Sequence, residues 1–309
     1  MSGDQCILIS GPTGSGKSYL ALELATLFDG IIVNADALQV YSCWELLTSR
    51  PTPGDHARIP HLLYGHISCQ LDYSVGDWLN DVKSVIEKYP QKPLLIVGGT
   101  GLYFTALTMG LSKIPAISPE IRQHSLHFYV TGKQDIMLDE LREKDPDTYA
   151  LLDRKNPRRI QRAWEVYKST GKGLSEWQKK RTSPLVNVAQ FKTILLNVSK
   201  PVTEARIKAR LDKIIALGVV EECRRNHSMI QSNRPASKAI GAIEFTQFIE
   251  GKSTLNQAKE RVIIATRQYA KRQRTWFRNK FIKWNSYNFD NPQEATGRII
   301  ASLTSHDFE

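Results

Sequence analysis

Gly11-Pro12-Thr13-Gly14-Ser15-Gly16-Lys17-Ser18 constrains the fold of this chain more than any other run. Its G-x-x-x-x-G-K-[ST] spacing is that of a phosphate-cradling loop, provided a strand enters it and a helix leaves it. Both flanks fit. The apolar run Cys6-Ile7-Leu8-Ile9 is short enough for a buried strand, and Tyr19-Leu20-Ala21-Leu22-Glu23-Leu24-Ala25 reads as a helix. Glycines let successive backbone N–H groups turn inward, the helix N-terminus adds partial positive charge, and Lys17 adds a full one. Ser18 is the residue expected to ligate Mg²⁺. The bland alternative is an ordinary glycine-rich turn; the context favours a ligand bearing a di- or triphosphate.

Three further apolar runs read as strands of the same sheet: Gly30-Ile31-Ile32-Val33-Asn34, Pro93-Leu94-Leu95-Ile96-Val97, and residues 192–198. Helical segments such as 75–89 separate them, the alternation that builds a parallel α/β sheet. Such sheets gather their sites at the carboxyl ends of the strands, which would bring the phosphate loop, Asp36 and Thr100 to one rim. From about residue 118 to 180 polar helical patterns take over, at 135–142, 145–153, 157–169 and 175–180. Helices also follow residue 199, at 203–217, 219–226, 239–250 and 254–283. The expected fold is therefore α/β: a P-loop-type parallel sheet core flanked by helices (1–114 and 191–309), with a helical insertion domain (115–190). The tail after Asn285 is polar and weakly patterned, and its last residues are expected to be disordered.

At 41% hydrophobic and 24% charged, the composition is ordinary for a globular protein. No run nears the ~18 apolar residues of a membrane span. Met1-Ser2-Gly3-Asp4 lacks the features of a signal peptide, so a cytoplasmic protein without membrane contact is expected, and separately a monomer. Cys6, Cys43, Cys69 and Cys223 show neither a C-x-x-C pair nor zinc-ligand spacing and read as free thiols.

The net charge of +11 hints at a polyanionic partner, and its placement says more. Arg154, Lys155, Arg158, Arg159 and Arg162 fall in a stretch without an acid. Residues 261–283 hold eight basic side chains and again no acid. There Arg267, Lys271, Arg274 and Arg278 recur at helical spacing and share one face. A solvated basic face is the plain reading, and an RNA or DNA backbone is the alternative that two such clusters favour.

Asp36 lies just past a strand in Asn34-Ala35-Asp36-Ala37-Leu38-Gln39-Val40-Tyr41. Asp followed three residues later by Gln is also a capping-box pattern, so cap and chemistry both remain open. Thr100, in Gly99-Thr100-Gly101-Leu102-Tyr103, either caps the next helix or lines a substrate passage. A conventional ATPase would place an acid at the end of a strand as a second Mg²⁺ ligand, whereas the 94–97 run ends in Gly-Gly.

Together these motifs resemble the tRNA dimethylallyltransferases, also called tRNA isopentenyltransferases. Besides the phosphate loop, the matching runs are Asp36–Tyr41, Gly98–Tyr103 and Asn156-Pro157-Arg158-Arg159-Ile160-Gln161-Arg162-Ala163. Further matches are Arg206–Glu222, Ala239-Ile240-Gly241 and Thr266-Arg267-Gln268-Tyr269-Ala270-Lys271-Arg272-Gln273, all in the family's order. The chain departs from the usual pattern at residues 43–51, at His61-Leu62-Leu63 and at Ala242-Ile243. The resemblance implies transfer of a dimethylallyl group from dimethylallyl diphosphate to N6 of the adenosine 3′ to the anticodon. Residues 11–18 and Arg210 would hold the diphosphate, with Lys17, Ser18 and Mg²⁺ countering its charge. Asp36 would orient the amine and accept its proton late, because bond formation to carbon is what acidifies that N–H. The target base must be turned out of its stack. The tRNA anticodon stem-loop would be met by Asp36, Ala37, Leu38, Gln39, Thr100, Arg158, Arg159, Ile160, Gln161, Arg162, Arg267, Lys271 and Arg274. The rivals are a small-molecule P-loop kinase, an adenylate isopentenyltransferase, and an RNA-binding module controlled by nucleotide.

Overall fold

The strand β1 (Cys6–Ser10) is buried along its whole length, as a strand covered on both faces must be. In the computed structural model, which describes residues 6–188, 191–230 and 234–304, it is followed by α1 (Lys17–Leu27), β2 (Ile31–Asn34), α2 (Pro53–Arg58) and β3 (His61–Leu62). Next come α3 (Val75–Lys88), β4 (Leu94–Gly98) and α4 (Gly101–Met109). After a helical segment the chain returns through β5 (Lys192–Asn197), α10 (Lys200–Ala216), α11 (Val219–Arg225), α12 (His227–Ile230), α13 (Ala242–Ile249) and α14 (Leu255–Lys280). It ends in β6 (Asn285–Asn288) and α15 (Pro292–Thr304). The strands form one sheet in the order β3-β2-β4-β1-β5-β6, with every pair parallel. Among the described residues no helix is long and apolar enough to cross a membrane.

Register sets the rim of the sheet. Ser10 pairs with Gly98 and Asn34 with Val97, so the chain leaves β1, β2 and β4 at one level. Gly98 explains why β4 ends without an acid: a Cβ there would lie 2.0 Å from the carbonyl oxygen of Ala35. The Asp36 turn can thus press directly on the end of β4. Beneath the rim, Ile9, Leu24, Leu95 and Ile299 share one apolar core.

The structure adds elements that the sequence pattern does not show and corrects the reading of the cysteines. The polar tail after Asn285 supplies the edge strand β6 and the helix α15, whose Ala295 and Ile299 are buried; its last residues, 305–309, lie outside the described residues. The short edge strands β3 and β6 carry too few apolar residues to have been read as strands. Finally, Cys43 and Cys69 are not free thiols but a disulfide, with Cα atoms 6.1 Å apart. The parallel bridge Tyr41↔Ile67 aligns the two segments that carry them, a pairing 26 residues apart that local sequence does not display. Cys6 and Cys223 are free and buried, and burial pushes both thiols up to about 12.

The chain divides into two compact units, one comprising Met1–Thr108 and Val186–Glu309, the other Met109–Leu185. The second holds α5 (Pro119–Val130), α6 (Gln134–Lys144), α7 (Pro146–Leu151), α8 (Pro157–Thr170) and α9 (Leu174–Lys179). Its core is Met137, Leu141, Ile160, Ala163 and Trp164. The two ends of this unit are pinned together, Thr182 N donating to Leu111 O at 2.8 Å and Leu111 N to the Thr182 hydroxyl at 3.0 Å.

Candidate active site

At the rim lies a cavity of about 270 Å³, near the lower bound of ~300 Å³ for small-molecule clefts. Residues 13–18 form its floor. Gly16 caps α1 in the left-handed region, at φ 90°, which directs the loop backbone around the helix N-terminus. The Lys17 ammonium donates to the carbonyls of Gly11 at 2.8 Å and Pro12 at 2.7 Å. Arg210, on α10, lines the same cavity and reaches the Thr13 hydroxyl at 3.3 Å. Its neighbour Arg206, one turn earlier, braces the loop by donating to Gly14 O at 2.9 Å.

Electrostatics link these groups. Burial lowers the Lys17 pKa to about 8; Asp36 opposes that shift and Arg210 adds to it. Burial also lowers the Arg210 pKa, again against Asp36. A carboxylate thus faces two desolvated cations, an arrangement that a bound anion would relieve. A pH dependence follows. Below about pH 8 Lys17 is charged and ready; above it, anion binding must take up a proton. The affinity for a non-reactive alkyl diphosphate should therefore be flat from neutral pH to about pH 8 and then fall by up to about tenfold per pH unit. Calorimetry between neutral and alkaline pH, in buffers of different ionisation heat, measures both the affinity and the proton uptake.

Asp36 is not part of a capping box. Its Oδ1 accepts from Leu38 N at 3.0 Å, its own N–H goes to Asn34 Oδ1 at 2.8 Å, and residues 37–40 form turns and no helix. Among the described residues no hydrogen bond engages the other carboxylate oxygen. Gln39 turns away from Asp36 and donates to Thr48 O at 2.9 Å and Ser49 O at 3.0 Å. The Thr100 hydroxyl accepts from Ala37 N at 2.9 Å, so it steadies the Asp36 turn.

The helix α14 presents two faces. Thr266, Tyr269 and Gln273 line the phosphate-loop cavity. Gln273 is buried and bridges elements far apart in sequence: its Oε1 accepts from Thr13 N at 2.8 Å and its Nε2 donates to Gly99 O at 2.9 Å. The Tyr269 phenol lies beside Thr100 and Gln273, and burial holds it protonated by raising its pKa. Arg267, Lys271 and Arg274 do not reach this cavity. With Lys200 and Arg278 they line a separate one of about 940 Å³, where Arg267 pairs with Glu204 at 2.7 Å.

In the helical unit, α8 carries Arg158, Arg159 and Arg162 on its outside, whereas Ile160 and Gln161 are 2% and 8% exposed. Of the five residues expected at the RNA, three therefore stand on the outside of the helix and two are turned inward. Ile160 packs with Ala163 and Trp164, and Gln161 Nε2 donates to the Ser125 hydroxyl at 3.0 Å and to Glu165 at 3.1 Å. Sequence reasoning in turn assigned no site role to Gln273, Tyr269, Tyr64 or the segment Leu47-Thr48-Ser49, all of which line the cavity. Only Tyr269 and Gln273 gave a signal, being spaced four apart on one face of the helix.

Fold and cavity together place the protein among the P-loop-type proteins, with a cationic floor under the loop and a carboxylate across from it. The sequence profile of the IPP transferase family matches residues 39–280. A tRNA dimethylallyltransferase of Roseobacter denitrificans is 45% identical over 281 residues, covering 91% of this chain and 98% of that one. One from a Ruegeria species is 45% identical over 282 residues, covering 91% and 94%. The crystal structure of a tRNA isopentenylpyrophosphate transferase from Bacillus halodurans superposes with a TM-score of 0.67 at 27% identity, covering 98% of this chain and 97% of that one. A eukaryotic dimethylallyltransferase, captured acting on tRNA, gives a TM-score of 0.77 at 26% identity, covering 92% and 73%. The chain belongs to the IPP transferase family.

Proposed function

We propose that this protein transfers a dimethylallyl group from dimethylallyl diphosphate to N6 of the adenosine 3′ to the anticodon of tRNA, releasing diphosphate. The observation that carries the proposal is the single cavity in which Asp36 faces Lys17 and Arg210 over the loop 13–18. Family membership supplies the reaction class.

In this reading the diphosphate lies on the loop, where backbone amides, Lys17 and Arg210 meet the charge that grows as the C–O bond breaks. N6 forms a bond to the freed carbon, and its proton passes to Asp36. The free carboxylate oxygen orients the amine first and takes the proton once the nitrogen has become acidic. Ser18 lines the cavity, and among the described residues no trio of His, Cys, Asp or Glu gathers to hold a metal. That hard-oxygen, low-denticity setting fits Mg²⁺, which binds through few protein ligands and mainly through phosphate. Ser18 would hold the ion, which supplies charge neutralisation to the diphosphate. The basic side chains of Arg158, Arg159 and Arg162, and those of Lys271 and Arg274, are the groups we assign to the RNA backbone.

Incubation with dimethylallyl diphosphate, Mg²⁺ and an anticodon stem-loop rich in loop adenosines tests the proposal. A mass gain of one dimethylallyl unit on the RNA is expected. Consumption of ATP without prenyl transfer would instead establish a kinase, and modification of free AMP in preference to RNA an adenylate-directed enzyme.

A further inference from the structure

Glu222 is a buried carboxylate, 4% exposed, that takes no part in the reaction described above. It sits in the first turn of α11 and accepts three successive backbone N–H groups from a distant segment: Glu45 at 2.7 Å, Leu46 at 2.9 Å and Leu47 at 2.8 Å. Charge-assisted bonds of this kind are about twice as strong as neutral ones. They are also selective, because an amide in place of the carboxylate would turn an N–H₂ group toward an N–H donor. From the other end of the same helix, the C-cap Asn226 donates through Nδ2 to Cys43 O at 3.2 Å.

The segment held in this way continues directly into the cavity wall as Leu47, Thr48 and Ser49. The carbonyls of Thr48 and Ser49 then receive both hydrogens of the Gln39 amide, and Gln39 belongs to the turn that begins at Asp36. A path of hydrogen bonds joined by short stretches of backbone therefore runs from α11 through residues 45–49 to the carboxylate that faces the phosphate loop. Among the described residues no hydrogen bond joins its members to residues 13–18, whose bracing comes from Arg206, Arg210 and Gln273.

We propose that Glu222 is a positioning residue for the acceptor side of the cavity: it fixes residues 45–49 and, through Gln39, the Asp36 turn, without contributing to diphosphate binding. The inference rests on the functional reading given above. Misplacement of a reacting group by about 1 Å is enough to cost about 10²-fold in rate.

The test compares Glu222→Gln and Glu222→Asp with the unaltered protein in three measurements. These are steady-state kinetics with the anticodon stem-loop, affinity for the non-reactive alkyl diphosphate as donor analogue, and hydrogen exchange of the backbone amides. For Glu222→Gln, kcat/KM for RNA should fall about 10- to 100-fold while the affinity for the donor analogue stays within about twofold. The amides of residues 45–47 should lose protection selectively. Glu222→Asp keeps the charge and should show the same split with a smaller loss, and it decides the matter if Glu222→Gln fails to fold. Parallel loss of RNA turnover and donor affinity, in proportion to the folded fraction, would reduce Glu222 to a structural role and overturn the proposal. So would unchanged amides at 45–47 in a folded variant, whatever the reaction. If the unaltered protein leaves RNA unmodified, it is the functional reading that has failed, and the exchange data still judge the positioning of residues 45–49.

Discussion

Asp36→Asn is expected to lower the rate of RNA prenylation by about 10²- to 10⁴-fold, the range by which a positioned general base contributes. The substitution is chosen because it spares the fold. Asparagine keeps an Oδ1 acceptor for Leu38 N, and the Asn34 and Thr100 bonds that hold the turn involve backbone N–H groups that remain. What disappears is the negative charge that would orient N6 and take its proton. The change has a second consequence that a folding defect would not produce. Asp36 raises the pKa of Lys17, so its loss should move the alkaline break in donor-analogue affinity below the value of about 8 set in its presence. At neutral pH the variant should bind the donor analogue as well as the unaltered protein or more tightly, since an anion has left the neighbourhood of the diphosphate. Single-turnover kinetics and calorimetry on one preparation check both effects.

Lys17→Ala should lower kcat/KM by about 10²- to 10³-fold, comparable to removing one preorganised donor from a transition-state charge site. Lys17 and Arg210 are the cations that line the cavity, and both are desolvated there. Their charges therefore act on the leaving diphosphate with little screening by water. The loss should appear in the chemical step as well as in donor affinity, because charge on the bridging oxygen grows as the C–O bond breaks. Lys17→Arg should not restore the rate: the guanidinium is larger and cannot make the two short contacts to the Gly11 and Pro12 carbonyls in the same space. Quench-flow measurement of the first turnover distinguishes the two steps.

How much of this was legible in the sequence depends on the range over which each feature is built. The phosphate loop is a local device, and its glycines, lysine and flanking apolar runs are contiguous from Cys6 to Ala25. The same holds for β2 and the turn after it, and for the hydrophobic β4 and β5. Short edge strands fared worse, because two residues in β3 and the polar Asn285-Ser286-Tyr287-Asn288 of β6 carry no apolar alternation. Ile160 and Gln161 sit inside a basic run and are turned inward by helical geometry, which composition alone does not display. Bonds such as Gln273 to Thr13, or Glu222 to residues 45–47, join positions from about 175 to 260 apart and leave no local trace. A single sequence reveals the residue types such bonds need, but not which partners the topology brings together.

The most direct measurement is a crystal structure of the protein with the non-reactive alkyl diphosphate, Mg²⁺ and an anticodon stem-loop. The account predicts the diphosphate on residues 13–18 with Lys17 and Arg210 against it, and the unpaired adenine turned out so that N6 lies within hydrogen-bond reach of the Asp36 carboxylate. A base that stays stacked in its loop while Asp36 contacts only its own turn, or a cavity that accepts the γ-phosphate of ATP in place of the isoprenoid, would contradict it.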